Sequence, residues 1–232
     1  MERYLAIVTA RSGSKRLSGK NIKTLCGKPL FVWSVLAGIQ CPQVAETVVS
    51  TDSEAYRAIA IAAGAKCGQL RSARLALDTA TSADVVQEVL DRCHDGASGY
   101  RALVLLQPTS PLRTAADVSA AIALYESSGA PAVVSVCETE CPPAWTGKIG
   151  PDLLMDDFRR NEGKTLRSQD ADAWYRINGA IYVIGISEFR TEHGFLPAGT
   201  KAYIMPRARS IDIDNAIDFD LAEAIMTRTA KC

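Results

Sequence analysis

The sequence predicts an α/β protein built on a doubly wound, mostly parallel sheet. Two observations carry this: six short β-branched runs recur along the chain, and five longer amphipathic stretches separate them. The runs are Tyr4 to Thr9, Glu46 to Thr51, Arg101 to Leu106, Pro131 to Val136, Ala180 to Ile184 and Ala202 to Met205. Their length and their valines, isoleucines and threonines favour extended backbone. Apolar residues fall at helical spacing over Pro29 to Gln40, Ser53 to Gly64, Ser82 to Asp95, Thr114 to Ser128 and Asn215 to Thr229, several opened by Ser, Thr or Asn. A helix between successive strands returns the chain to the same end of the sheet, so neighbouring strands run parallel.

At 232 residues with 47% hydrophobic composition, the chain can bury one sizeable core and is read as a single domain over 1–232. Its 26 basic and 26 acidic residues balance, which argues against nucleic acid or an anionic membrane as partner and confines any anion site to a local feature. The first residues carry too few apolar side chains for a signal-peptide core or a membrane span, so a cytoplasmic location is expected. Seven cysteines without a C-x-x-C pair read as reduced thiols rather than a zinc site.

One stretch breaks the βα rhythm. Residues Cys141 to Ile177 combine prolines, glycines and a dense charged run with Trp145, Leu153, Leu154, Met155, Phe158 and Trp174. A structureless loop of this length is uncommon in a compact domain, so 141–177 is expected to be an insertion or dimerisation arm.

Two segments carry opposite charge. Residues 1–28 hold seven Lys or Arg against one acid, and the loop Ala10 to Asn21 directly follows the first strand. Open parallel sheets bind ligands at the carboxyl ends of their strands. Gly13 and Gly19 there allow close backbone approach, and Arg11, Lys15, Arg16 and Lys20 supply charge for several phosphates. The spacing is neither a P-loop nor a dinucleotide fingerprint. Ser210 to Glu223 holds five acids and no base. In extended backbone Asp212 and Asp214 share one side while Ile211 and Ile213 enter the core, and two carboxylates on one side suit Mg²⁺. Asp218 and Asp220 fit equally well as acids at a helix start. Leu106 to Arg113, LQPTSPLR, is stiffened by two prolines and presents Gln107, a donor and acceptor. NGAIY, Asn178 to Tyr182, reads by itself as a turn followed by plain strand.

Taken together, A-R-x-G-S-K-x-x-x-x-K-N followed by G-K-P-L, then LQPTSPLR, NGAIY and SIDID with Asp218, closely resemble the motifs of the acylneuraminate cytidylyltransferase family (CMP-sialic acid synthetases), in family order across residues 9 to 220. The resemblance implies a nucleotidyltransferase-type sheet, CTP as substrate with Mg²⁺, and a nonulosonic acid as acceptor, its anomeric hydroxyl attacking the α-phosphate. It implies catalytic roles for Arg11, Lys20, Asp212 and Asp214, the last two as metal ligands. Arg11, Ser14, Lys20, Asn21, Arg71 and Ser82 fall where the family contacts the nucleotide, and Gln107, Arg167, Tyr182 and Phe195 where it contacts the sugar. A homodimer follows too, with Arg167 reaching the partner's site. Two departures bear on the acceptor. Ala144 and Trp145 follow Pro143 where sialic acid synthetases tend to place a lysine, and Leu196 follows Phe195 where the family has an aromatic pair. A less polar pocket suits legionaminic or pseudaminic acid over sialic acid. Two alternatives stay open: transfer to a different sugar or sugar phosphate, or a non-catalytic nucleotide sensor.

Overall fold

The computed structural model describes residues 3–14, 17–93, 97, 99–141, 146–159 and 173–229. Among them the strands are β1 (Tyr4–Thr9), the short β2 (Thr24–Leu25) and β3 (Lys28–Pro29), β4 (Val44–Ser50), β5 (Ala102–Leu105), β6 (Ala132–Glu138), β7 (Tyr175–Gly185) and β8 (Lys201–Ile204). The helices are α1 (Leu30–Ile39), α2 (Glu54–Ala62), α3 (Ser82–Arg92), α4 (Ala115–Ser128), α5 (Asp156–Arg159), α6 (Ile186–Glu192) and α7 (Ala216–Thr229). Six strands form one sheet in the order β4-β1-β5-β7-β6-β8, while β2 and β3 pair as a separate hairpin. The β4–β1, β1–β5 and β6–β8 pairs are parallel, and β7 alone runs against its neighbours β5 and β6.

Alternation along the central strands sorts their side chains onto two faces. Tyr4, Ala6 and Val8 of β1 join Phe31, Val35, Tyr56 and Ile122 from α1, α2 and α4. Leu5 and Ile7 join Val86 and Leu90 of α3 and Phe189 of α6 on the opposite face. The doubly wound expectation therefore holds, with a third cluster in which Phe219 and Ala222 of α7 pack beside Leu25, Leu112 and Ile213. Gly38 lets α1 press on the sheet: a Cβ there would lie 2.6 Å from Thr47 Oγ1 and 3.3 Å from Ala6 Cβ.

Three features depart from the sequence reading. β7 begins at Tyr175, so the last residues of the 141–177 segment belong to the sheet; Tyr175 and Ile177 are 46% exposed and give no core-like alternation. Asn178 and Gly179 make no hairpin turn but lie inside β7, where its register with β6 shifts between Val134 and Val136. The helices α5 and α6 are short and were not anticipated. The six described cysteines are unpaired thiols.

The start of α4 is fixed by charge. Thr114 and Asp117 form a capping box, and Asp117, 2% exposed, accepts from Arg209 Nη2 at 2.7 Å, Arg209 Nε at 3.0 Å and Tyr203 hydroxyl at 3.2 Å. Burial alone would raise the Asp117 carboxyl, but the hydrogen bonds from Arg209 and Thr114 outweigh it and hold the group below the usual carboxylate range. A depressed carboxyl contributes stability that is present above the unfolded value of about 4 and is lost as pH falls through the folded value. Asp117→Asn is expected to lower unfolding free energy by about 2 kcal/mol, discounted because Arg209 is partly exposed. Urea titrations at neutral pH and at pH 3 check this, since the gap between wild type and variant should narrow in acid.

Candidate active site

The basic loop closes over the carboxyl end of β1. Asp52, just beyond β4, accepts from Ser12 N at 2.7 Å and Ser12 Oγ at 2.8 Å, which fixes the start of the loop. The buried Asn21 returns its Nδ2 to Arg11 O at 2.8 Å. Gly19, at φ 61, turns the chain into the 3₁₀ turn Lys20–Ile22, a conformation that favours glycine. Lys15 and Arg16 lie outside the described residues.

Beneath this loop is a cavity of about 430 Å³, which gathers all six expected nucleotide-site residues, Arg11, Ser14, Lys20, Asn21, Arg71 and Ser82, together with Gln107 and Asp214. One wall is apolar, from Leu75, Leu77 and Val85. Arg71 forms the floor: it is 6% exposed and donates to Ser50 O at 2.7 Å and Ser50 Oγ at 3.1 Å. Burial pushes its pKa down to about 10, against the opposing pull of Asp52 and Glu88, so it stays charged at neutral pH.

Ile213 joins the basic and acidic segments. Its side chain is fully buried, its N–H donates to Thr109 O at 2.8 Å, and its carbonyl accepts from Lys20 Nζ at 2.5 Å. Lys20 also lies 3.5 Å from Asp214 Oδ1. The segment is irregular backbone rather than a strand, yet Ile213 points inward and its two aspartates flank it, as alternation requires. Asp212 reaches solvent, but the protein packed around it raises its carboxyl above the ordinary range, with Asp214 adding to the rise and Thr109 and Lys20 opposing it. Two such carboxylates close in sequence fit a hard divalent cation that takes its remaining ligands from water and phosphate. No cluster of three or more His, Cys, Asp or Glu suited to an all-protein metal cage occurs among the described residues. Asp218 instead caps α7, accepting from Asp214 N at 2.9 Å and Asn215 N at 3.0 Å.

The side of the site that holds Gln107 is built around Gly179. A Cβ there would sit 2.8 Å from Gln107 Oε1 and 3.8 Å from Asp212 Oδ2, and φ is +74, so only glycine allows this approach. The conformation is held by Asn178, 1% exposed, whose Oδ1 accepts from Ser135 Oγ at 2.6 Å and whose Nδ2 donates to Ser210 Oγ at 2.9 Å. Arg113 Nη1 donates to Ala180 O at 2.6 Å and more weakly to Gln107 O at 3.4 Å. Tyr182 is raised by burial and then by Asp212, and its ring lies 5.3 Å from that of Phe195. Tyr182, Phe195 and Asp212 are not among the residues that line the cavity. Arg167 and the proline, alanine and tryptophan at 143–145 lie outside the described residues.

Sequence reasoning missed Asp52, Asp78, Asn178 and Arg113 as contributors. Asp52 carried a usable signal, its place just past a parallel strand's carboxyl end. Asn178 was hidden because Asn-Gly ordinarily marks a turn.

A family model described as cytidylyltransferase matches residues 5–195. The chain is 34% identical to a CMP-N,N'-diacetyllegionaminic acid synthase of Legionella pneumophila, covering 97% of this chain and 96% of that protein. It is also 34% identical to an N-acylneuraminate cytidylyltransferase of Escherichia coli, of which it spans about half the length (52%), with 97% of this chain covered. A pseudaminic acid cytidylyltransferase of Campylobacter jejuni is 28% identical, with 95% of each chain covered. Among solved structures, a CMP:2-keto-3-deoxy-manno-octonic acid synthetase complexed with CTP superposes with a TM-score of 0.73 at 16% identity, covering 98% of this chain and all of that one, which supports the fold. With its family motifs gathered around one cavity and a match over most of its length, the chain belongs to the cytidylyltransferase family.

Proposed function

We propose that the protein transfers CMP from CTP to the anomeric hydroxyl of a nine-carbon 2-keto acid sugar (legionaminic, pseudaminic or sialic acid), releasing pyrophosphate. The observation that carries this reading is one cavity lined by Arg11, Lys20, Arg71, Gln107 and Asp214, with the Gln107 and Asp212 side chains both close to Gly179. The apolar wall of Leu75, Leu77 and Val85 suits a flat pyrimidine, with Ser82 at the start of α3 as a polar contact. The cations face the side where a triphosphate would extend.

The sugar oxygen forms a bond to the α-phosphorus as the bond to the β-phosphate oxygen breaks, so the protein's task is positioning and charge neutralisation. Arg11 and Lys20 offset the charge that grows on the leaving pyrophosphate. Lys20 is preset for this, since Ile213 O and Asp214 hold its ammonium. Gln107, its main chain gripped by Ser34 Oγ at 3.0 Å, presents its amide to the sugar. Asp212 and Asp214 would hold Mg²⁺, which when bound supplies Lewis-acid charge to phosphate oxygens. A dimer is part of the same proposal: Leu153, Leu154, Met155 and Trp174 are 48–76% exposed, and burying such side chains against a second copy would offset the ordering of the 141–177 segment. Arg167 of that segment would then serve the neighbouring site. No helix among the described residues is long and apolar enough to cross a membrane, and the reading places the enzyme in the cytoplasm with its substrates.

CTP-dependent pyrophosphate release tests the assignment. Asp212→Asn and Asp214→Asn should each reduce it about 100-fold while circular dichroism stays unchanged, and excess chelator should abolish it; full turnover under either condition contradicts the metal role. Lys20→Ala should lower kcat by about 100-fold with a smaller effect on melting temperature. Wild-type kcat in that variant would reduce the basic loop to a solvated surface. Light scattering at micromolar concentration should report twice the 24.9 kDa chain mass; a fully active monomer removes the shared site.

A further inference from the structure

The nucleotide cavity is lined by an ion pair. Arg11 Nη1 lies 2.5 Å from Asp78 Oδ1, and both residues line the cavity. Asp78 comes from a different segment, the turn between the 3₁₀ turn Ala73–Ala76 and α3. The other two cations are differently held. Arg71 is buried on Ser50, and Lys20, 11% exposed in its side chain, lies on Ile213 O and Asp214. Arg11 is paired with an acid while both side chains stay about one-third exposed, at 33% and 39%. A carboxylate oxygen on a guanidinium N–H occupies the place that a phosphate oxygen takes.

We propose that Asp78 is a positioning residue that acts through Arg11: its carboxylate competes with the phosphoryl groups for the guanidinium, yields Arg11 to the incoming triphosphate, and reclaims it as pyrophosphate leaves. This rests on reading the cavity as a CTP site. Two physical consequences follow. The pair restrains a long, flexible side chain in the cavity wall, so less of its rotamer freedom remains to be lost on binding. Asp78 also competes with every phosphate for the same N–H and repels it once displaced, so it weakens the hold on CTP and on pyrophosphate alike. The second effect favours product release, a step that limits turnover in many enzymes.

The sign of the effect separates this role from a merely structural one. Loss of a structural contact loosens a site, whereas loss of a competing anion tightens it. Isothermal titration of the wild-type protein and Asp78→Asn with inorganic pyrophosphate, at fixed ionic strength, is the test. Asp78→Asn should bind pyrophosphate about 3- to 10-fold tighter and lower the KM for CTP by a similar factor. Asp78→Glu should return both toward wild type. In an Arg11→Ala background the same Asp78→Asn change should alter the dissociation constant less than about twofold, because the competition runs through Arg11. Equal or weaker pyrophosphate binding by Asp78→Asn overturns the proposal, as does a gain that persists in full without Arg11. If the wild-type protein binds neither CTP nor pyrophosphate, the CTP reading itself fails, an outcome distinct from the other two.

Discussion

The peptide of Ile213 is the constraint on which the site depends. Its carbonyl holds the Lys20 ammonium, its N–H is held by the Thr109 carbonyl, and its side chain is sealed in the cluster formed with Leu25, Leu112 and Phe219. One residue thereby joins the loop after β1, the turn after β5 and the acidic segment before α7. Asp212 and Asp214, on either side of it in the chain, are anchored through it. A charged donor on a peptide oxygen forms a stronger hydrogen bond than a neutral pair, so the lysine that would serve phosphates also braces the residues that would hold the metal. Chemistry and scaffold are coupled at that contact.

The acceptor wall uses buried polarity for the same end. Arg113 is 3% exposed, and burial pushes its pKa down to about 9, with Asp117 opposing the fall. A guanidinium so desolvated is costly. Here it ties the Ala180 carbonyl to the Gln107 turn, while Asn178, Ser135 and Ser210 complete a hydrogen-bonded network beneath Gly179. The result is a stiff platform at Gly179, which Gln107 and Asp212 both approach, a geometry that an apolar core of the same volume would not specify.

Much of this was legible in the sequence, for physical reasons that differ by element. β1 was read to the residue because its first five side chains are buried, so its apolar run is continuous. The start of α4 was legible because Thr114 is both its cap and a sequence signal. The first half of β7 was not, because Tyr175, Arg176 and Ile177 lie outside the core and their pattern resembles an exposed segment. The nucleotide residues could be named from motifs, and the structure gathers them in one cavity, but their partners could not. Asp52, Asp78 and Asn178 act through contacts 40 or more residues away in sequence, with Ser12, Arg11 and Ser135 respectively. Such pairings depend on the sheet order, in which β7 inserts between β5 and β6, and local patterns do not encode that order.

One cavity brings together apolar side chains of Leu75, Leu77 and Val85, the cations Arg11, Lys20 and Arg71, the Gln107 amide and the Asp214 carboxylate, and the proposed transfer from CTP draws on each of them. The most direct measurement is the fate of an ¹⁸O label on the anomeric hydroxyl of a nine-carbon 2-keto acid sugar incubated with the protein, CTP and Mg²⁺. Mass spectrometry should find the label retained in the oxygen that bridges sugar and phosphorus in the CMP-sugar, with one unlabelled pyrophosphate per product. Failure to form a CMP-sugar from any such acid, or a product whose bridging oxygen is unlabelled, would contradict the account.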